Sequence, residues 1–275
     1  MVYDLHCHSN ASDGELNPQE IIARAISRGV TTLSITDHDT VAAYSAELDY
    51  NQEQLKLISG IELSTVWQTR GLHVVGLNID LQSAELLEIV RQQENARVER
   101  AKYIADKLSK RGVVDAYAGA QAIAGDGVLG RPHFAQYLID IGRVKSMEEA
   151  FKKYLGNSQL GSLDDCWPGI EQAVGWIKKA GGVAVVAHPD KYKLTRTKLF
   201  ALLKEFVAAG GEGFEVVSGN QNKDVTDKLM QACEHFGLYA SCGSDFHSPR
   251  QTWTDLGKFS PLPARAKPVW SLWEK

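Results

Sequence analysis

No stretch of the 275 residues stays apolar long enough to span a bilayer. The opening MVYDLHCHS has neither the basic nor the apolar segment of a secretory leader. Cysteine is scarce: Cys7, Cys166, Cys233 and Cys242 are the four, and no two are spaced as CxxC. A disulfide framework and a cysteine-held structural zinc are thereby excluded, and the thiols read as reduced. Positive charge is short as well. A formal net charge of −4 leaves no generic surface for long polyanions, so a nucleic-acid substrate has to be short or held locally. GxSxG and Walker-type loops are missing, as are internal repeats and low-complexity tracts. These absences predict a cytoplasmic chain with no membrane association and no obligate protein partner.

What is there is ordinary in bulk and unusual in detail. Hydrophobic content of 44% and charged content of 23% are enough for a sizeable core. Short apolar runs alternate with helical patterns. VYDL, TTLSIT, LKLISGIEL and LHVVGLNI read as strand regions, and so do GGVAVVAHP, GEGFEVVSG and LYASCGSDFH. PQEIIARAISRG reads as a helix, with Pro18 near its start, Gly29 at its end and Ile21, Ile22, Ala25 and Ile26 on one stripe. A further helical stretch is predicted from Ala42 to Gln54. This alternation predicts an α/β protein with a largely parallel sheet or barrel. Residues 84–157 carry long helical patterns and no strand, which predicts a helical insertion. The barrel is then built from 1–83 and 158–275. Trp270 and Trp273 near the end are expected to anchor the core.

The chain has eight histidines, and seven sit at or near strand ends or in short motifs. His6 and His8 end the first apolar run, in DLHCHSNASDG, and share one face because strand side chains alternate. Cys7 between them then points the other way, into packing. Asp13 follows in the turn, and Asp37 and His38 come in ITDHDT. Glu62 follows a strand, His73 opens one, and His188, Asp245 and His247 stand in VAHP and GSDFH. His235 lies in a helical pattern and is assigned no role. Chemistry in α/β barrels gathers at the carboxyl ends of the strands. One HxH is weak evidence, but imidazoles and carboxylates converging on one barrel mouth predict a multinuclear site for Zn, Mn or Fe. Asp37 either orients a ligand imidazole or caps the next helix.

The motifs DLHCHSNASDG, ITDHDT, GIELST, AHPDKY and GSDFHSP resemble those of the PHP (polymerase and histidinol phosphatase) superfamily over nearly the whole chain. GIELSTVW, HVVGLNID, GRPHFA, AFKKYL and GSDFH...W..LG are similar to the bacterial group of RNase AM and the 3',5'-nucleotide bisphosphate phosphatases. The resemblance implies a distorted (β/α)7 barrel, a helical insertion domain covering the site, and three divalent ions. Mn2+ is taken first, with Zn2+, Fe2+ and Mg2+ as alternatives. It implies that His6, His8, Glu62 and Asp245 hold one ion and that Glu62 bridges to a second, shared with His73 and His188. Asp13, His38 and His247 would hold the third. Three departures stand out: Asp13 where many relatives have His, Asp190 where they often have Gly, and the acidic GSLDDCWP.

Three divalent ions outweigh the three carboxylates, so the site is expected to be positive within an acidic protein and to favour a phosphate ester. His6, His8, Glu62, Asp245 and His133 form the expected catalytic set, with His133 or a metal-held water as general acid. Arg131 and His133 in GRPHFA are expected to hold substrate phosphate, since a guanidinium offers a planar fork. Lys191 is a further substrate candidate, with Arg250 similar. The resemblance implies cleavage of the 3' P–O bond of a 5'-phosphorylated nucleotide. A 3',5'-bisphosphate such as pAp yields AMP and phosphate. Short 5'-phosphorylated RNA yields nucleoside 5'-monophosphates stepwise, a 5'-to-3' exoribonuclease. The alternatives are a small-metabolite phosphomonoesterase of the histidinol-phosphate type, an amidohydrolase-like barrel, and a non-catalytic nucleic-acid-binding module. No Lys stands at a strand end to suit the amidohydrolase-like barrel.

Overall fold

The structure is a computed structural model that describes residues 1–45, 48, 53–160 and 166–274. Short strands β1 (Tyr3–Asp4), β2 (Thr32–Leu33) and β3 (Lys56–Leu57) form a parallel sheet in that order. β4 (Gly60–Trp67), β5 (Arg70–Leu77), β6 (Val183–Val186), β7 (Gly213–Ser218) and β8 (Tyr239–Gly243) form a second sheet, also in chain order. The fold is mixed α/β, as the alternation predicted.

The expectation of a largely parallel sheet needs correcting. β4 pairs antiparallel with β5, and β5 with β6; the other pairs of the second sheet are parallel. The cause is the loop between β4 and β5, two residues long, with Gln68 at φ 57°. So short a link makes a hairpin, because a parallel pair needs a crossover of roughly a dozen residues or more. Its turn carries no glycine or asparagine to announce it. Glu62 therefore lies within a strand, not after one, and His73 lies inside β5, not at its opening.

The regular ladders do not join the two sheets, but single bonds do. The Leu5 N–H donates to the Cys242 carbonyl at 3.1 Å and the His8 N–H to Phe246 at 2.9 Å. On the other side the Glu62 N–H donates to Asp37 at 3.1 Å and the Asp39 N–H to Glu62 at 2.9 Å. These bonds lay the segments after β1, β2 and β8 alongside one another at one end of the sheets.

Helix α1 (Pro18–Ser27) begins as its sequence predicts. Asn17 accepts from the Glu20 N–H, and the Glu20 carboxylate accepts from the Asn17 N–H. Ile21, Ile22 and Ala25 are buried with Leu33, Ile35 and Phe246, and Cys7 is buried among them as expected. The stretch predicted as helix from Ala42 forms one 3₁₀ turn over Ala42–Tyr44, and residues 46–47 and 49–52 lie outside the described residues. Trp270 stacks on Tyr3 with ring centroids 3.8 Å apart, and Trp273 is half-buried nearby, so both pack at the core's edge. Among the described residues no helix is long and apolar enough to cross a membrane.

Between β5 and β6 the described elements are all helical. Ahead of the helix over Ile170–Lys179 they are α2 (Ala84–Ser109), α3 (Ala116–Ala124), α4 (Arg131–Asp140), α5 (Met147–Ala150), a π-helical turn (Phe151–Leu155) and α6 (Asn157–Leu160). They bury Ile104, Leu108, Phe134, Leu138 and Leu155 in a core of their own. The first half of α2 belongs elsewhere: Leu86 and Ile89 pack into the main core, which lies between the second sheet and α7 (Ile170–Lys179), α8 (Arg196–Ala208) and α9 (Lys223–His235). One helix thus spans two cores.

A buried ion pair fixes it there. The Arg97 guanidinium, on α2, donates to Asp39 at 2.6 Å, and the other Asp39 oxygen accepts from Gln93 at 2.7 Å and the Ser64 N–H at 2.6 Å. Asp39 is buried beside His38, so the helical segment is tied to the loop that presents a site residue. Removing one partner of a buried pair strands the other charge, at about 3–5 kcal/mol. R97A is therefore expected to lose about that much stability in denaturant unfolding. An unchanged unfolding midpoint would show that the pair does not clamp α2.

Candidate metal centre and phosphate pocket

Glu62 is the focus of the site. Its carboxylate is fully buried and faces five imidazoles. His38 Nδ1, His73 Nδ1 and His188 Nε2 each stand 2.9 Å from it, His8 Nε2 at 3.3 Å and His6 Nε2 at 3.4 Å. Asp245 Oδ1 lies 3.4 Å from His8 Nε2 and 3.7 Å from His6 Nε2. Asp13 lies 3.4 Å from His247 Nε2 and 3.8 Å from both His38 Nε2 and His8 Nδ1. All nine candidate ligands read from the sequence come together.

The donor atoms form four overlapping groups, each spanning no more than 4.8 Å. His8, Asp13, His38 and His247 make one; His6, Glu62 and His188 another; His6, His8 and Asp245 a third; His38, Glu62 and His73 the fourth. Ligands about 2.1 Å from a shared ion stand roughly 3 Å from each other, so this spacing suits divalent ions. Unpartnered atoms point the same way. His8 Nδ1, His38 Nδ1, His188 Nδ1 and Glu62 Oε2 are buried without a well-directed hydrogen bond among the described residues, although His38 Nδ1 and Glu62 Oε2 lie 2.9 Å apart. Buried polar atoms left unpaired at one spot call for an ion or water.

Protonation also fits. Burial, then the neighbouring His247 and His38, holds His8 well below the usual histidine range. Burial pushes His73 down to about 4 and lowers His188, with Lys191 adding to the latter. Glu62 and Asp13 are held well below the usual carboxylate range, because the surrounding imidazoles outweigh the burial that opposes ionisation. Neutral imidazoles and ionised carboxylates are the forms that bind metal. His6 differs: burial opposes its protonation, but Glu215 and then Glu62 raise it to about 10. A field that holds a proton so firmly equally favours a metal cation in its place.

The backbone is bent to bring these groups together. Asp39, His188 and Asp245 adopt φ of 58°, 26° and 52°, which is costly for residues with a Cβ. Gly243 is required beside His6, since a Cβ there would lie 2.3 Å from the His6 Cβ. Asp37 neither orients an imidazole nor caps a helix. It accepts from the Ser9 N–H at 2.7 Å and from the Ser9 and Ser12 hydroxyls at 2.5 Å, and so shapes the turn that carries Asp13.

Glu215 in β7 is buried here and was absent from the sequence reading. It accepts from His6 Nδ1 at 3.1 Å and from the His188 N–H. With Nδ1 carrying the proton, His6 turns its Nε2 lone pair to the cluster. The available signal was one carboxylate inside the apolar run FEVV.

Beside His38, His73 and Asp13 lies a cavity of about 170 Å³ lined by Arg97, Arg100 and Arg131. Arg97 and Arg100 lie 5.5 and 5.3 Å from the Trp167 ring, and Arg131 5.7 Å from Phe151. Arg100 has no carboxylate partner among the described residues, and its buried Nε donates to nothing. Burial, then Arg131 and Arg97, lowers its pKa to about 9. Three guanidiniums this close to one another favour an anion between them. The sequence reading placed Arg131 against phosphate, and Arg131 does line this cavity. It missed Arg97, Arg100 and Trp167, because basic residues in a long helical pattern read as a solvated face.

The other candidates line a second opening, which shares Asp13 and Pro132 with the first. His133 lines an open groove, its Nδ1 accepting from the Gly130 N–H at 3.0 Å, so Nε2 carries the proton. Burial lowers its pKa and keeps it neutral. The Lys191 ammonium rests on Asp245, Arg250 pairs with Glu15 at 2.9 Å, and Asp190 pairs with Lys193 at 3.1 Å. Of the acidic GSLDDCWP segment, residues 161–165 lie outside the described residues.

The PHP domain family matches residues 4–160. This chain belongs to that family. The PHP protein is 42% identical to a 5'-3' exoribonuclease of Haemophilus influenzae, over 98% of this chain and 97% of the relative. It is 38% identical to a 3',5'-nucleoside bisphosphate phosphatase of Chromobacterium violaceum, over 97% and 94%. A solved structure of a Chromobacterium violaceum amidohydrolase, with bound sulfate and no metal, superposes with a TM-score of 0.91 at 38% identity, covering 99% of this chain and 95% of that one.

Loss of a hydrogen bond to a metal-binding histidine weakens affinity about 10–100-fold. E215Q in the PHP protein is expected to weaken Mn2+ or Zn2+ binding by that factor in a competition titration against a chromophoric chelator. Unchanged affinity would leave Glu215 a purely structural carboxylate.

Proposed function

We propose that this PHP protein is a metal-dependent phosphoesterase that cleaves the 3' P–O bond of 5'-phosphorylated nucleotides. It acts as a 3',5'-nucleotide bisphosphate phosphatase, on pAp and its like, and as a 5'-to-3' exoribonuclease on short 5'-phosphorylated RNA. The observation that carries this reading is the arginine cavity beside the Glu62 cluster. A substrate with one phosphate to be attacked needs only the cluster. A second pocket, with three guanidiniums and a volume of about 170 Å³, suits a second phosphate. It is smaller than the roughly 300 Å³ at which small-molecule sites begin, so it takes a phosphate and not a whole nucleotide. The names of the relatives support the same pair of activities.

In this reading the two sheets together make a distorted (β/α)7 barrel built from 1–83 and 158–275, and residues 84–157 are a helical insertion domain over its mouth. His6, His8, Glu62 and Asp245 hold one divalent ion, Glu62, His73 and His188 a second, and Asp13, His38 and His247 a third, with Mn2+ the first choice. Bound there, divalent ions supply positive charge for phosphate oxygens and lower the pKa of water towards neutrality. The chain's own groups do the rest. Arg100 and Arg131 clamp the 5'-phosphate, while Arg97, already paired with Asp39, adds charge and holds the wall in place. A water oxygen bonds to the 3' phosphorus and the bond from phosphorus to the 3' oxygen breaks. His133 donates a hydrogen bond from its Nε2–H to the departing 3' oxygen, and the proton shed by the attacking water ends on that oxygen. Lys191 stands over Asp245 at the mouth, within reach of a phosphate. Such an enzyme needs no membrane or protein partner and belongs in the cytoplasm with its substrates.

The test is product analysis with Mn2+ present. pAp is expected to give AMP and phosphate, and a short 5'-phosphorylated RNA to give nucleoside 5'-monophosphates one at a time. A hydrogen bond to a charged group contributes about 1.5–3 kcal/mol. R100A is therefore expected to raise KM for pAp about 10–100-fold while 3'-AMP, which lacks the 5'-phosphate, is turned over as before. Equal losses on both substrates would sink the two-phosphate reading and favour a small-metabolite phosphomonoesterase.

A further inference from the structure

The groove lined by His133 is the larger opening, about 1360 Å³. It begins at His188, Asp245 and His247 and runs out between the helical segment and the loop after β8. That volume exceeds the roughly 300–1,000 Å³ that encloses one small molecule. Its walls carry apolar side chains that face solvent. Trp253, on one wall, is 62% exposed, and Ile123 and Met147, on the other, are 37% and 38% exposed. A tryptophan left in water beside a phosphoesterase centre is a stacking platform without its partner.

Charge narrows the occupant. Arg250 and Lys191 in the groove already pair with Glu15 and Asp245, and Asp126 adds a further carboxylate. This is not a basic channel that tracks a polyanion. The same groove is lined by the amides Asn10, Gln136, Asn220, Gln221 and Gln251, which suit base edges and sugars. A ligand held by an aromatic face and amides, entered from the metal cluster and longer than one nucleotide, is single-stranded RNA.

We propose that this groove holds the part of the RNA chain that lies 3' to the scissile phosphate, and that Trp253 stacks on one of its bases. The inference rests on the exoribonuclease reading above. It divides the molecule by substrate. The arginine cavity takes the 5' end common to pAp and RNA, and the groove takes what RNA alone possesses. The bond cut lies between them, which gives the enzyme its 5'-to-3' direction.

Kinetics on pAp and on a 5'-phosphorylated pentaribonucleotide test this directly. Stacking on one base accounts for about 1–3 kcal/mol, so W253A is expected to raise KM for the pentanucleotide about tenfold or more. kcat and KM for pAp are expected to stay within about twofold, and W253F to recover most of the loss on RNA. Trp253 is too exposed for its truncation to unfold the protein. Equal loss on pAp and RNA, or no loss on RNA, would overturn the groove assignment and leave the phosphoesterase reading intact. Wild-type protein inert toward both substrates would overturn that reading, and the groove assignment with it.

Discussion

A carboxylate with no access to solvent has to be neutralised where it stands, and Glu62 is such a group. Five imidazoles from four segments of the chain surround it. To place them, the segments after β1, β2 and β6 must converge on the β4–β5 hairpin. The bonds that tie the two sheets together, from His8 to Phe246 and between Glu62 and Asp37, are the means. The strained backbone at Asp39, His188 and Asp245 and the forced glycine beside His6 follow from the same requirement. Even Glu215 answers it, by fixing which nitrogen of His6 faces the cluster.

The helical segment turns this centre into an asymmetric site. Because α2 is packed in two cores and tied by Arg97 to Asp39, it holds Arg100 on one side of the cluster. Helix α4 begins at Arg131, and its first turn puts Arg131 on the small cavity and His133 on the groove. One opening is small and cationic; the other is larger and lined by more carboxylates than lysines and arginines. An acidic protein can handle a polyanion in this way, by concentrating its attraction at one terminal phosphate and relying on stacking for the rest.

Most of the donor set was legible because the candidates other than Glu62 and His73 sat in short motifs at or just after the end of an apolar run, and strand ends converge in an α/β fold. Asp37 was legible as important but not in its role, since two serines of another segment claim its carboxylate. The antiparallel hairpin was missed because its two-residue turn uses Gln68 and Thr69, neither a usual turn signal. Arg97 and Arg100 were missed because helical periodicity cannot tell a basic residue that faces water from one that faces a cavity in a neighbouring segment.

The sequence by itself determined the α/β alternation, the helical stretch between β5 and β6, and the donor set, because these depend on local periodicity and on residue type. Tertiary packing alone sets which carboxylate lies at the centre, which histidine nitrogen faces it, and which arginines line the cavity beside it. Those properties depend on burial and on distances of a few ångströms between segments far apart in the chain. Charge and protonation respond to that packing, and no local pattern records it.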